Sequence, residues 1–193
     1  MAELRQQPGI AARALEFTIL TASRTGEVIG ARWEEINSAD LVWTVPADRM
    51  KAGKEHRVPL SAAAMTILGQ MTEIREGEFV FPGAKPGQPL SNMAFLMLLR
   101  RMDRGDLTAH GFRSTFRDWA GDSTDFPREV AEMALAHTVS DKVEAAYRRG
   151  DGFQKRQLLA EEWARYCAEP KTKPAVEADR NVVSLRRRRA KAA

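Results

Sequence analysis

The stretch from Leu41 to Leu60 limits the choice of fold more than any other part of the chain. Residues 41–46, LVWTVP, alternate in strand fashion, as do residues 56–60, HRVPL, and the polar segment ADRMKAGKE lies between them. Two short alternating runs joined by a polar, glycine-containing link read as a β-hairpin, with Lys51 and Lys54 near its tip. The patterns on either side of it are helical. The expected fold is therefore mainly α with a small antiparallel β-sheet, an α+β class.

Residues Ala11 to Thr21 carry Leu15, Phe17, Thr18 and Leu20 in a compact apolar helix without clean amphipathicity. A turn at Ser23–Thr25 leads to a second short helix expected to run through Val28, Ile29 and Trp33. Ser61 is placed to cap the helix SAAAMTILGQM, Ser91 one through Arg101, and Thr108 one beginning near His110. FVFPGAKPGQP reads as loop, its prolines and glycines marking turns. Pro127 suits the first turn of a helix ending near His137. Ser140 would cap a helix containing Tyr147, closed by Gly150 and Gly152. In the last helix, Gln154 to Ala168, Leu159, Trp163 and Tyr166 form one stripe, read as intramolecular core.

Charge divides the chain into a body and a tail. From Pro170 onward there are eight Lys/Arg and two Asp/Glu; residues 1–169 hold 22 Lys/Arg against 24 Asp/Glu, net −2. The overall +4 is thus produced by the tail, with its run Arg186 to Arg189. Such a run can hold nucleic-acid phosphates without sequence preference. Its low aromatic content also fits disorder, so the expected organisation is one domain over 1–169 and a basic disordered tail over 170–193. Any specific case for DNA must rest on the body.

No apolar run approaches the ~20 residues of a membrane span, and the opening MAELRQQPGI lacks the layout of a signal peptide. The single cysteine, Cys167, leaves no pair for an internal disulfide and fits a reducing cytoplasm. No closely spaced Asp/Glu/His trio or Cys/His spacing points to a metal.

The chemistry-bearing residues are scattered. In HGFRSTFRDW, His110 and Arg113 are three apart and would share a helix face, pairing an imidazole with a guanidinium. His137 ends the apolar run MALAH; Tyr147 sits in AAYRRGD beside Arg148 and Arg149. Arg24 follows the first apolar helix in TASRTGEVIGARWEEI, with Glu27 three residues on. Singly, each has an ordinary structural explanation.

Taken in order, Arg24, Lys51, His110, Arg113, His137 and Tyr147 resemble the tyrosine recombinase family. That family has an arginine in a TGxRxGE-like box, a hairpin lysine, a His-x-x-Arg box, a second His in an LGH-like box, and a nucleophilic tyrosine. The segments RMKAGKEHRVPLS, HGFRSTFRDWA and EAAYRRGD look like integrases of bacterial prophages and genomic islands, and the resemblance runs from about Ala11 to Cys167. Two positions depart from it: Ala22 and Ala136 stand where the family's boxes have glycine. Integrases of this kind also carry N-terminal DNA-binding domains ahead of the catalytic one, so the chain is expected to be a catalytic domain alone.

The resemblance implies a site-specific recombinase that cuts and rejoins DNA through a 3′-phosphotyrosyl bond to Tyr147. Arg24 and Arg113 would grip the non-bridging phosphate oxygens, His137 would donate to the same phosphate, and His110 would accept the tyrosine proton. Lys51 would protonate the leaving 5′-oxygen, with Lys54 as its rival, and both lysines would face DNA. Glu27 would orient Arg24 or an imidazole. The implied partners are double-stranded attachment sites and further copies of the chain assembled on DNA, in the bacterial cytoplasm with the nucleoid. No metal, other cofactor or membrane is involved in that chemistry. A type IB topoisomerase-like enzyme shares it, and a non-catalytic DNA-binding protein on the same fold is the alternative from another class.

Overall fold

The computed structural model describes residues 1–137 and 151–169. The Tyr147 segment with its cap Ser140, and the basic tail, lie outside the described residues. Among them the elements run α1 (Ala2–Arg5), α2 (Ile10–Thr21), α3 (Thr25–Ile29), β1 (Ile36–Asn37), β2 (Val42–Val45), β3 (His56–Pro59), α4 (Ala62–Glu73), α5 (Ala94–Arg101), α6 (Ala109–Ser123), α7 (Arg128–Ala134) and α8 (Phe153–Ala168). The expected mainly helical fold with a small antiparallel sheet is present.

Helix α2 is the axis of the core. Ala12, Ala14, Leu15, Phe17 and Leu20 are all buried, and α1, α3, α4, α5, α6 and α8 pack around it. A helix buried on all sides needs no polar face, which explains its lack of amphipathicity. Phe17 lies against both Trp43 and Phe81, with ring centroids 5.6 and 5.5 Å away. Burying a side chain of that size contributes roughly 1.5–3 kcal/mol. The α8 stripe closes the other side: Leu159 and Trp163 are buried, Trp163 packs on Phe116 and Trp119, and its indole N–H donates to the Ile19 carbonyl at 2.7 Å. The stripe is intramolecular core.

The hairpin forms as expected, with Val45 opposite His56 and Trp43 opposite Val58. Its link is more ordered than a plain tip, since Ala47–Arg49 make one 3₁₀ turn and Met50 is buried. The sequence reading missed β1, whose two residues pair with Trp43 and Val42 and are too few to show alternation. It also carried the second helix too far. Helix α3 stops at Ile29, and Trp33 opens a separate 3₁₀ turn, Trp33–Glu35, because Arg32 pairs in an isolated β-bridge with Phe79.

The caps follow the sequence. Ser61 accepts from the Ala64 N–H at 3.4 Å and Thr108 from the Gly111 N–H at 3.0 Å. Ser91 instead forms a turn, accepting from the Met93 N–H at 3.1 Å, and α5 begins at Ala94. Pro127 stands at the N-cap of α7. Gly152, with φ 61°, precedes α8. No described helix is long and apolar enough to cross a membrane.

Candidate active site

Arg24 is the N-cap residue of α3, and Glu27 sits three residues into that helix. The buried Glu27 carboxylate accepts from the Arg24 backbone N–H at 2.8 Å and from its guanidinium at 2.7 Å. One carboxylate thus caps the helix and fixes the direction of the arginine, in the manner of a capping box. Arg24 keeps 28% of its side chain exposed, so the rest of its fork can meet an anion.

Arg113 is buried on α6, one turn after His110. Its guanidinium donates to the carbonyl of Ala22 and, at 2.8 Å, to that of Leu135. These carbonyls belong to the ends of α2 and α7, two residues before Arg24 and two before His137. A planar guanidinium can hold two acceptors in fixed directions. Burial, and next the neighbouring Arg24 charge, lower the Arg113 pKa to about 10, with Glu27 opposing; it stays cationic at neutral pH.

The two alanines that replace family glycines lie at these helix ends in the left-handed region, Ala22 with φ 48° and Ala136 with φ 49°. Beyond the C-cap Leu135, the Ala136 N–H bonds Met133 O at 3.1 Å and the His137 N–H bonds Glu132 O at 3.0 Å, forming a Schellman motif. The turn that ends α7 therefore sets the backbone of His137. Its ring Nδ1 lies 2.6 Å from Glu132 Oε2. Burial raises the Glu132 carboxyl, but bonds from His137 and Arg117 more than offset it and its pKa falls below the usual value.

The hairpin is tied to the same region from both sides of its link. Arg49 donates to the carbonyls of Gly30 and, at 3.0 Å, Glu27, and pairs with Glu35 at 3.1 Å. Lys51, two residues on, is exposed, as is Lys54, and neither has an ion-pair partner among the described residues. On β3, His56 Nε2 lies 3.3 Å from the Ala134 carbonyl of α7. Burial first, then Arg156 and Arg24, hold its pKa down to about 4, against opposing effects of the Ala134 bond and Glu27. The ring is neutral near pH 7, and because a carbonyl only accepts, its proton is on Nε2.

Arg113 thus ties together the turns that lead to Arg24 and to His137, Glu27 holds Arg24, and Arg49 ties the start of the Lys51 link to α3. His110 is exposed at the start of α6. Sequence reasoning missed Arg49, His56, Glu132 and Arg156. The last is a fully buried arginine that donates to Arg57 O at 2.5 Å, Asp151 O at 2.8 Å and Asp151 Oδ2 at 2.7 Å, joining β3 to the start of α8. The bonds of His56 and Arg156 to Ala134 and Arg57 cross 78 and 99 residues, beyond any local pattern. Glu132 alone left a signal, being five residues before His137 on a helix end.

The Phage integrase family matches residues 2–151. The chain belongs to that family. Among curated integrases, the prophage integrase IntA of Escherichia coli (strain K12) is 39% identical over 151 residues, covering 77% of this chain and 36% of that protein. The integrase of Enterobacteria phage P4 is 31% identical over 171 residues, covering 79% and 39%. The chain therefore spans less than two-fifths of the length of these integrases. Among solved structures, a lambda integrase (75–356) dimer bound to a COC′ core site matches with a TM-score of 0.55 at 21% identity, over 72% of this chain and 54% of that one. A lambda integrase tetramer bound to a Holliday junction matches at 0.54 and 22%, over 78% and 45%. This integrase-family chain thus shares its fold with lambda integrase.

Proposed function

We propose that this chain performs the strand cleavage and rejoining of a site-specific tyrosine recombinase, acting on double-stranded attachment sites as a multimer on DNA. The observation that carries the reading is the Arg113 fork, which holds the turn before Arg24 and the turn before His137 with one buried cation. Two guanidiniums and an imidazole carried at turns that one side chain ties together suit a phosphodiester, whose charge rises in the pentacoordinate transition state. Membership of the integrase family and the DNA-bound multimers named for lambda integrase support the substrate and the assembly. The E. coli prophage relatives support a bacterial cytoplasm, with the DNA of the nucleoid, as the place of action.

The Tyr147 hydroxyl attacks phosphorus while its proton passes to His110, and the bond to the 5′-oxygen breaks. Lys51 gives that oxygen a proton, leaving a 3′-phosphotyrosyl link and a free 5′-hydroxyl. Arg24 and Arg113 neutralise the non-bridging oxygens and His137 donates to one of them. A second 5′-hydroxyl reverses the steps, so the bond is conserved without a nucleotide cofactor or metal. Base specificity does not follow from phosphate-gripping groups.

The test is covalent trapping on a nicked attachment-site duplex, which lets the cleaved fragment diffuse away. The parent should form a protein–DNA adduct that survives denaturing electrophoresis and EDTA. Tyr147→Phe should form none. An equal adduct with the Phe variant, or loss of the adduct in EDTA, overturns the mechanism.

A further inference from the structure

Glu132 is bound to His137 twice, through its backbone carbonyl to the His137 N–H at 3.0 Å and through Oε2 to the ring Nδ1 at 2.6 Å. Its other oxygen accepts from Arg117 Nε of α6 at 2.7 Å, with Arg128 Nε of α7 at 3.7 Å. The carboxylate is thus clamped from two helices, while 41% of the His137 side chain stays exposed. We propose that Glu132 is a positioning residue that fixes both the direction and the proton placement of the His137 ring. The proposal rests on His137 serving the phosphate as described above.

An ionised carboxylate only accepts, so a 2.6 Å contact places the shared proton on Nδ1. With that proton fixed, the neutral ring offers a bare Nε2, which cannot donate to an anion. Only the imidazolium carries a second N–H, on Nε2, across the ring from the Nδ1 that Glu132 holds. Arg117, Glu132, His137 and the phosphate then alternate in charge. Each member stabilises its neighbours, and the Schellman turn holds the ring at the end of the row.

The tautomer can be read without DNA. In the full chain with ¹⁵N-labelled histidine, in alkaline buffer, His137 should hold its proton on Nδ1. Glu132→Ala should move it to Nε2, while Glu132→Gln, which keeps an acceptor oxygen, should leave it on Nδ1. On the nicked duplex, Glu132→Ala should slow single-turnover cleavage roughly tenfold to a hundredfold, as loss of an orienting carboxylate does for metal-bound histidines, with DNA affinity little changed. Glu132→Gln should recover part of that rate. Adding Glu132→Ala to His137→Ala should cost nothing further, because both act through one ring. An unchanged tautomer in Glu132→Ala, or additive losses in the double variant, overturns the proposal. If Glu132→Ala does not fold, Glu132→Gln decides, and a parent rate without the charge overturns it. Failure of the recombinase reading would appear separately, as a parent chain that forms no adduct.

Discussion

Ala22 and Ala136 end their helices in the same left-handed conformation, φ 48° and 49°, and Arg113 holds the first by its own carbonyl and the second by the carbonyl just before it. An L-residue in that region costs roughly 1–2 kcal/mol, which glycine avoids at some cost in unfolded-chain entropy. Ala22→Gly and Ala136→Gly should each stabilise the chain by ~0.5–1 kcal/mol, raising Tm by roughly 1–4 °C. Ala22→Val should destabilise it, since a branched side chain meets the same strain within the core. Thermal unfolding checks both directions, and a lower Tm for the glycine variants would show that the strain is not there.

Arg113 has structural and chemical duties, which its variants should separate. Arg113→Lys keeps the charge but can no longer span both carbonyls in fixed directions. It should lose roughly 1–3 kcal/mol of stability, as expected for a buried acceptor left unpaired, and cleave far more slowly than the parent. Urea unfolding beside single-turnover cleavage measures both. A lysine variant of parental stability and rate would remove the fork from its role.

Acid sensitivity should centre on His56. Its pKa falls from 6.5 to about 4 on folding, so between those values the unfolded chain binds a proton that the folded chain refuses. Its contribution is complete above pH 6.5 and is lost as the pH falls toward 4. A shift of that size corresponds to at most ~3.5 kcal/mol. His56→Gln, which does not titrate, should lose less stability than the parent between about pH 7 and pH 4.5 in urea titrations. Parallel losses in the two proteins would place the sensitivity in other groups.

Lys51 and Lys54 share the same exposed link, and chemistry can tell them apart. Sulfur at the bridging 5′ position leaves readily without a proton. Lys51→Ala should cut ordinary DNA ~10²-fold slower or worse, the usual loss of a general acid, yet cut the phosphorothiolate at near the parental rate. Arg113→Ala should not be rescued, since its proposed place is at the non-bridging oxygens, and neither should Lys54→Ala. Rescue of Lys54→Ala alone would assign the proton to Lys54.

The parts legible in the sequence were those whose cause is local. Thr108 and Ser61 could be read as caps because the N–H groups they satisfy are three residues away, and the hairpin because alternation is written within each strand. His110 and Arg113 could be placed on one helix from their spacing, and α6 carries both, but that Arg113 is buried while His110 is exposed was not written there. Trp33 was misread because its backbone partner, Glu78 O at 2.9 Å, lies far along the chain. The alanines at 22 and 136 could be seen to stand in place of glycine, but not their positive φ, because φ is invisible in a sequence. His56 and Arg156 looked like ordinary strand and helix residues, since burial and distant carbonyls alone give them their work.

The indole of Trp163 meets the carbonyl of Ile19 across 144 residues, in the last turn of α2 before Ala22. During synthesis the axis of the core leaves the ribosome well before the helix that covers it. Until Trp163 has emerged, the turn that leads to Arg24 lacks one wall, and contacts so distant in sequence form late. The order in which the chain is made thus sets the order in which its parts are braced: the turn before Arg24 gains its Trp163 wall only after every helix ahead of α8 has been made.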